Sequence, residues 1–160
     1  MKYYLAGPMQ GIPQYNFPLF FKAAAFLREK GYDIVSPAEI DDSEDKGKAL
    51  QSTDGILTKS DKSWGDFLAR DVKLLADGGI GGIVFLPRWT SSRGAKLEAT
   101  VGLLNGFEFK AIDFLPNGTM VLLDITPELV LDMVHDSMFV NLVNHKGEKV
   151  AQLASTAAVA

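Results

Sequence analysis

GIVFLPRWTSSRGAKLEATVGLLNG, residues 82–106, runs from a short apolar segment through a polar turn into a helical pattern. A strand handing over to a helix in this way decides the fold, because the same succession recurs along the chain. On a helical wheel Gly94, Gly102 and Asn105 lie close to Glu98, beside an apolar stripe of Leu97, Val101 and Leu104. Small neighbours leave room around a carboxylate. The pattern therefore predicts a Glu98 that touches a ligand.

Upstream, KYYLAG (2–7) reads as a buried strand ended by Gly7-Pro8. NFPLFFKAAAFLREKG (16–31) follows as a helix with Phe17, Phe20, Ala24 and Leu27 on one face, Asn16 as its N-cap and Gly31 as its stop. YDIVSP (32–37) is a second strand, and SWGDFLARDVKLLADGG (63–79) a second helix, opened by Ser63 and Asp66 at capping-box spacing. Beyond residue 106, FKAIDFL (109–115) is a strand, and the Asn117-Gly118 pair turns it back into TMVLLDI (119–125). Thr126-Pro127-Glu128 opens a last helix. Short apolar strands alternating with helices predict a Rossmann- or flavodoxin-like three-layer α/β sandwich on a mainly parallel sheet of about five strands. Residues 1–125 form the main domain, with 126–160 as a C-terminal helix and tail packed on it or extending it.

Such sheets bind ligands where their strands end. Three loops sit there: 7–15, 37–63 and 87–94. The middle one is long, polar and without periodicity, which suggests a lid or, as the alternative, plain disorder.

Composition narrows the chemistry. The 160 residues are 47% hydrophobic and include no cysteine, so thiol nucleophiles, disulfides and cysteine-ligated zinc are excluded. A net charge of −4 without a run of Lys or Arg argues against polymeric nucleic acid but not against a mononucleotide. No apolar run matches a membrane span or a signal peptide, so a cytoplasmic protein is expected. GGIGG (78–82) precedes a strand and reads as a tight turn, not a phosphate cradle; the DDSED run and the two histidines, His135 and His145, lack metal-ligand spacing. Trp89 is either a base-stacking ring or packing at a loop mouth.

Asp71 is the second anomalous acid. It lies at the centre of a face made by Trp64, Phe67, Leu68, Leu74 and Leu75, with Asp66, Arg70 and Lys73 opposite. A carboxylate there must be paired, hydrogen-bonded or protonated. Together with Glu98 it offers the pair of acids that glycosidic chemistry uses, one at the anomeric carbon and one at the leaving group.

YLAGP (4–8), Asp71 within RDVKLLADGGIGGIVFLP (70–87), and the Ser92-x-Gly94-x-x-x-Glu98 spacing together resemble the nucleoside 2-deoxyribosyltransferase-like superfamily, which includes the 2'-deoxynucleoside 5'-monophosphate N-glycosidases. The resemblance implies that Glu98 is a nucleophile attacking C1' of a deoxyribosyl group, that Tyr4 orients it, and that Asp71 protonates or positions the departing base. It further implies that Ser92 binds a 5'-phosphate and that Gly7, Pro8, Met9, Gln10 and Gly11 line the sugar-phosphate side. Phosphate-specific relatives carry an arginine in the first loop where this chain has Gln10; Arg93, beside Gly94, is the candidate to compensate. No cofactor or metal is implied. The expected partners are a deoxynucleotide or deoxynucleoside and a second copy of the chain, in a homodimer or larger assembly that shares a residue near Asn117 or Thr119. Transfer between free deoxynucleosides is the alternative activity. A non-catalytic nucleotide sensor and an NAD-cleaving glycosidase are the others.

Overall fold

The computed structural model describes residues 1–40, 43–56, 63–140, 142–143 and 149–151. Its central sheet has the order β2-β1-β3-β4-β5, formed by Lys2–Ala6 (β1), Asp33–Val35 (β2), Ile80–Phe85 (β3), Glu108–Phe114 (β4) and Met120–Ile125 (β5). The first four are parallel to their neighbours, and β5 returns antiparallel to β4. The predicted α/β sandwich and the 117–118 hairpin are both present, the latter with Gly118 at φ 82°.

Strand alternation sorts the core into two layers. Tyr3, Leu5, Val84 and Leu86 pack with Phe17, Phe20 and Leu27 of α1 (Phe17–Glu29) on one face. Tyr4, Ala6, Ile83 and Phe85 pack on the other with Leu75 of α4 (Trp64–Asp77), Ala95 and Ala99 of α5 (Arg93–Leu104), and Val130 and Val134 of α6 (Pro127–Val140). Two short strands, Leu142–Val143 (β6) and Lys149–Ala151 (β7), pair separately. Among the described residues no helix is long and apolar enough to cross a membrane.

Capping chemistry sets where α4 starts. The Ser63 hydroxyl accepts from the Asp66 N–H, and the Asp66 carboxylate accepts from the Ser63 N–H at 2.6 Å, the reciprocal box its spacing predicts. Asn16 is the N-cap of α1, as expected, but Gln14, Tyr15 and Asn16 all have positive φ, and the Asn16 side chain makes no capping bond; its amide donates to the Pro8 carbonyl at 2.9 Å, tying the first loop instead.

The 37–63 loop is also more ordered than its pattern suggests. It contains α2 (Pro37–Ile40) and α3 (Ser43–Gln51). Among the described side chains of α3 Ala49 is the buried one, so there was no apolar stripe to read, although Lys, Ala, Leu and Gln are good helix formers. Residues 41–42 of the acidic run, 57–62 of the expected lid, His145 and the tail from 152 lie outside the described residues.

Candidate active site

The chain passes from β1 to β2 on one side of the sheet and then to β3 on the other. The carboxyl ends of β1 and β3 thus form the switch point at which their loops diverge. A cleft of about 1140 Å³ opens there. Gly7 sits at the pivot, where a Cβ would come within 2.8 Å of Leu86 Cβ.

Glu98 forms part of the cleft wall and is 7% exposed. It belongs to the buried face of α5, made by Ala95, Glu98, Ala99 and Gly102 at three- and four-residue spacing. The apolar stripe is divided: Leu97 is 38% and Leu104 83% exposed, while Val101 is half-buried against the core. Gly102, expected to give a ligand room, faces the sheet, where a Cβ would lie 2.8 Å from Ile83 Cδ1 and 3.0 Å from Phe109 Cε1. Its smallness lets α5 settle close to β3. Gly94 does face the cleft, with Ser92 Oγ at 3.8 Å as the nearest atom to an added Cβ.

From β1, the fully buried Tyr4 reaches under Glu98, and its hydroxyl donates to Glu98 Oε1 at 2.9 Å. Burial, then the charge of Asp71, push the Glu98 carboxyl up to about 8, while the Tyr4 hydrogen bond and Arg70 pull the other way. The direction favours the protonated form of Glu98 at neutral pH. Burial, then Glu98, push the Tyr4 phenol well above its ordinary value, so it stays a donor.

Asp71 lines the same cleft from α4 and pairs with Arg70, whose Nε and Nη2 both lie 2.8 Å from Asp71 Oδ1. Of the outcomes open to an acid on that face, the structure selects pairing. Arg70 is the cleft residue that helical-wheel reasoning missed. Its Cα lies on the polar side of α4, but its long side chain swings back to the adjacent carboxylate and into the cleft.

The first loop contributes Gly7, Pro8, Met9, Gln10 and Gly11 to the lining. It is braced by the 49–56 segment, since the Gly11 N–H donates to the Gly55 carbonyl at 3.2 Å and the Gln14 N–H to the Ser52 carbonyl at 2.8 Å. On the opposite side, Ser92 is the N-cap of α5, its Oγ accepting from the Ala95 N–H at 3.2 Å. The next two N–H groups, of Arg93 and Gly94, have no intrahelical acceptor and sit at the positive end of the helix dipole. Arg93 lines the cleft with its guanidinium 4.7 Å from the centre of the Trp64 ring. Trp64 was legible only as one member of an apolar face. Trp89 is core: it is 4% exposed and stacks on Phe85 at 4.0 Å. His135 is exposed beside Asp136, and among the described residues no three His, Asp or Glu side chains converge as metal ligands.

The chain belongs to the family described as "Domain of unknown function (DUF4406)", whose model matches residues 1–110. That span contains Tyr4, Arg70, Asp71, Ser92 and Glu98. Neither curated proteins nor solved structures give a match.

Proposed function

We propose that this DUF4406 member is an enzyme that cleaves the N-glycosidic bond of 2'-deoxyribonucleoside 5'-monophosphates, releasing the base and deoxyribose 5-phosphate. One observation carries the reading: a buried glutamate, held by a buried tyrosine at 2.9 Å, lines a cleft with a second carboxylate close enough to perturb it. Structural carboxylates are usually neutralised by a cation or a set of N–H donors. Glu98 is instead left protonated beside open space, a state that costs stability and is typical of functional sites.

The proton balance is self-contained. Glu98 oxygen bonds to C1' as the C1'–N bond breaks, and the proton it held passes by way of Asp71 to the departing base nitrogen. Water then attacks C1' of the glutamyl ester and returns a proton to Glu98, with net retention. Arg70 keeps the site from accumulating two unpaired negative charges when Glu98 has given up its proton. A 2'-deoxy sugar suits this route, because no electron-withdrawing hydroxyl opposes positive charge at C1'. The free N–H groups of Arg93 and Gly94, with the Ser92 hydroxyl, suit a 5'-phosphate.

Gln10 favours a second reading. In the superfamily the sequence resembles, phosphate-specific members carry an arginine in the first loop, and an exposed neutral side chain there is what a nucleoside 2-deoxyribosyltransferase acting on free deoxynucleosides would show. Both readings place the enzyme in the cytoplasm as a homodimer or larger assembly.

Incubating the protein with each common deoxynucleoside and its 5'-monophosphate, and following free base by chromatography, decides between them. Release from the monophosphates alone supports the first reading, and release from deoxynucleosides, accelerated by a second free base, supports the alternative. A Glu98→Ala protein with full turnover would sink both.

A further inference from the structure

We propose that Arg93, held against Trp64, is the specificity-determining residue of the cleft, the fork that reads the anionic group of a 5'-monophosphate. This rests on the cleft being the deoxynucleotide site described above.

The other two arginines that pair in this protein do so with carboxylates: Arg28 with Glu39 at 2.8 and 2.6 Å, and Arg70 with Asp71 at 2.8 Å. Arg93 does not. Among the described residues its guanidinium meets only the Trp64 ring, so its N–H donors are unspent and face the cleft. Burial draws it below the usual arginine range, and Lys96 beside it is lowered as well, first by burial and then by Arg93 itself. Two half-buried cations side by side, with no carboxylate paired to either among the described residues, make a local positive field that an anion would relieve.

The indole explains how the protein tolerates this. A guanidinium over an aromatic face recovers part of its lost hydration while its planar fork stays available for hydrogen bonds. Held in place beforehand, it loses less freedom when a phosphate arrives. The competing groups are less suited. Gln10 is neutral and exposed, and Arg88 is exposed with no aromatic ring holding it among the described residues. Because Trp64 contacts Arg93 while Trp89 is sealed against Phe85, the fluorescence of Trp64 should report anion binding.

The test is made in Glu98→Gln protein, in which turnover is stopped. Inorganic phosphate, the four common deoxynucleoside monophosphates and the matching deoxynucleosides are titrated by calorimetry and by tryptophan fluorescence. Adding Arg93→Ala should weaken phosphate and monophosphate binding on the order of 10- to 100-fold, and leave deoxynucleoside binding within about twofold. Arg93→Lys should not restore the loss, since a point charge does not replace the fork, and Trp64→Leu should fall between. Arg93→Gln, which keeps the packing without the charge, carries the comparison if the alanine variant is unfolded at the assay temperature. Equal losses for nucleotides and nucleosides, unchanged phosphate affinity, or a parent protein that binds no phosphate compound would each overturn the inference. Wild-type base release is followed in parallel. Selective phosphate binding without base release removes the glycosidase reading and leaves Arg93 its role; base release with no Arg93-dependent selectivity does the reverse.

Discussion

Replacing Glu98 by glutamine tests the buried acid without relying on turnover. Glu98 ionises at 4.5 when exposed and at about 8 in the fold. Its folded value is raised, so the contribution to stability is complete below pH 4.5 and is lost as pH climbs to about 8. Over that window the unfolded chain releases the Glu98 proton while the folded chain retains it. The loss from this one side chain reaches about 3 kcal/mol by pH 7 and levels off at roughly 5 kcal/mol above pH 8. Glutamine cannot ionise and keeps a carbonyl that can accept from the Tyr4 hydroxyl, so its own cost is a constant offset of about 1 kcal/mol. Urea and thermal unfolding of both proteins from pH 4.5 to 9 give the measurement. The Glu98→Gln protein should gain on wild type by about 3 kcal/mol between pH 4.5 and 7, or roughly 6–12 °C in Tm for a chain of this size. Other titrating groups are common to both proteins, and the raised Tyr3 and Tyr4 phenols act only above this range. Parallel pH profiles would refute the reasoning, since they would mean that Glu98 ionises as if in water.

Tyr4→Phe removes the hydroxyl that holds Glu98 Oε1, leaving a buried carboxyl short of a partner; it should cost about 1–3 kcal/mol in urea unfolding and, because that bond holds the Glu98 value down, move the alkaline limb of any pH–rate profile upward. Gly102→Ala and Gly94→Ala should separate packing from access. The first drives a methyl to 2.8 Å from Ile83 and should lose about 1–3 kcal/mol by thermal unfolding, while the second meets nothing closer than 3.8 Å and should leave Tm unchanged but weaken ligand binding by calorimetry. Gly55, at φ 68°, lies against the Ile12 backbone, so Gly55→Ala should free the first loop from the 49–56 segment; faster amide exchange at Gly11 and Gln14 than in the core strands would show it.

The strands were legible because each is short, apolar and closed by a glycine, a proline or a capping residue, and these are local signals. Tyr4 and Asp71 could be found for a related reason: a tyrosine on an apolar strand and an acid on an apolar helix face each violate a local pattern. Arg70 and Trp64 violate nothing. Arg70 stands among charges on α4 and Trp64 among apolar residues, and what makes them interesting is their contact with Asp71 and with Arg93. The pairing of Arg93 with a ring from another helix depends on how α4 and α5 sit together, and no one-dimensional spacing encodes that. The outward turn of Leu97 and Leu104 failed to show for the opposite reason. Hydrophobicity groups them in one apolar stripe, but the sheet takes the smaller residues of α5 because they allow a closer approach.

That closeness links the architecture to the acid's behaviour. A helix packed on a sheet through large side chains stands off far enough for water to reach polar groups along its flank. Here the contact of Gly102 with Ile83 and Phe109 draws α5 down, and Glu98, one turn earlier on the same face, comes down with it onto the Tyr4 hydroxyl. Burial is the largest cause of the raised Glu98 pKa, ahead of Asp71. The glycine read as space for a sugar thus acts through packing on the face it shares with Glu98: it seals the carboxyl against the sheet and leaves the cleft at the switch point as its open side. The two neighbours that oppose the rise, Tyr4 from the sheet and Arg70 from α4, are then the groups through which the protein adjusts how readily that proton can leave.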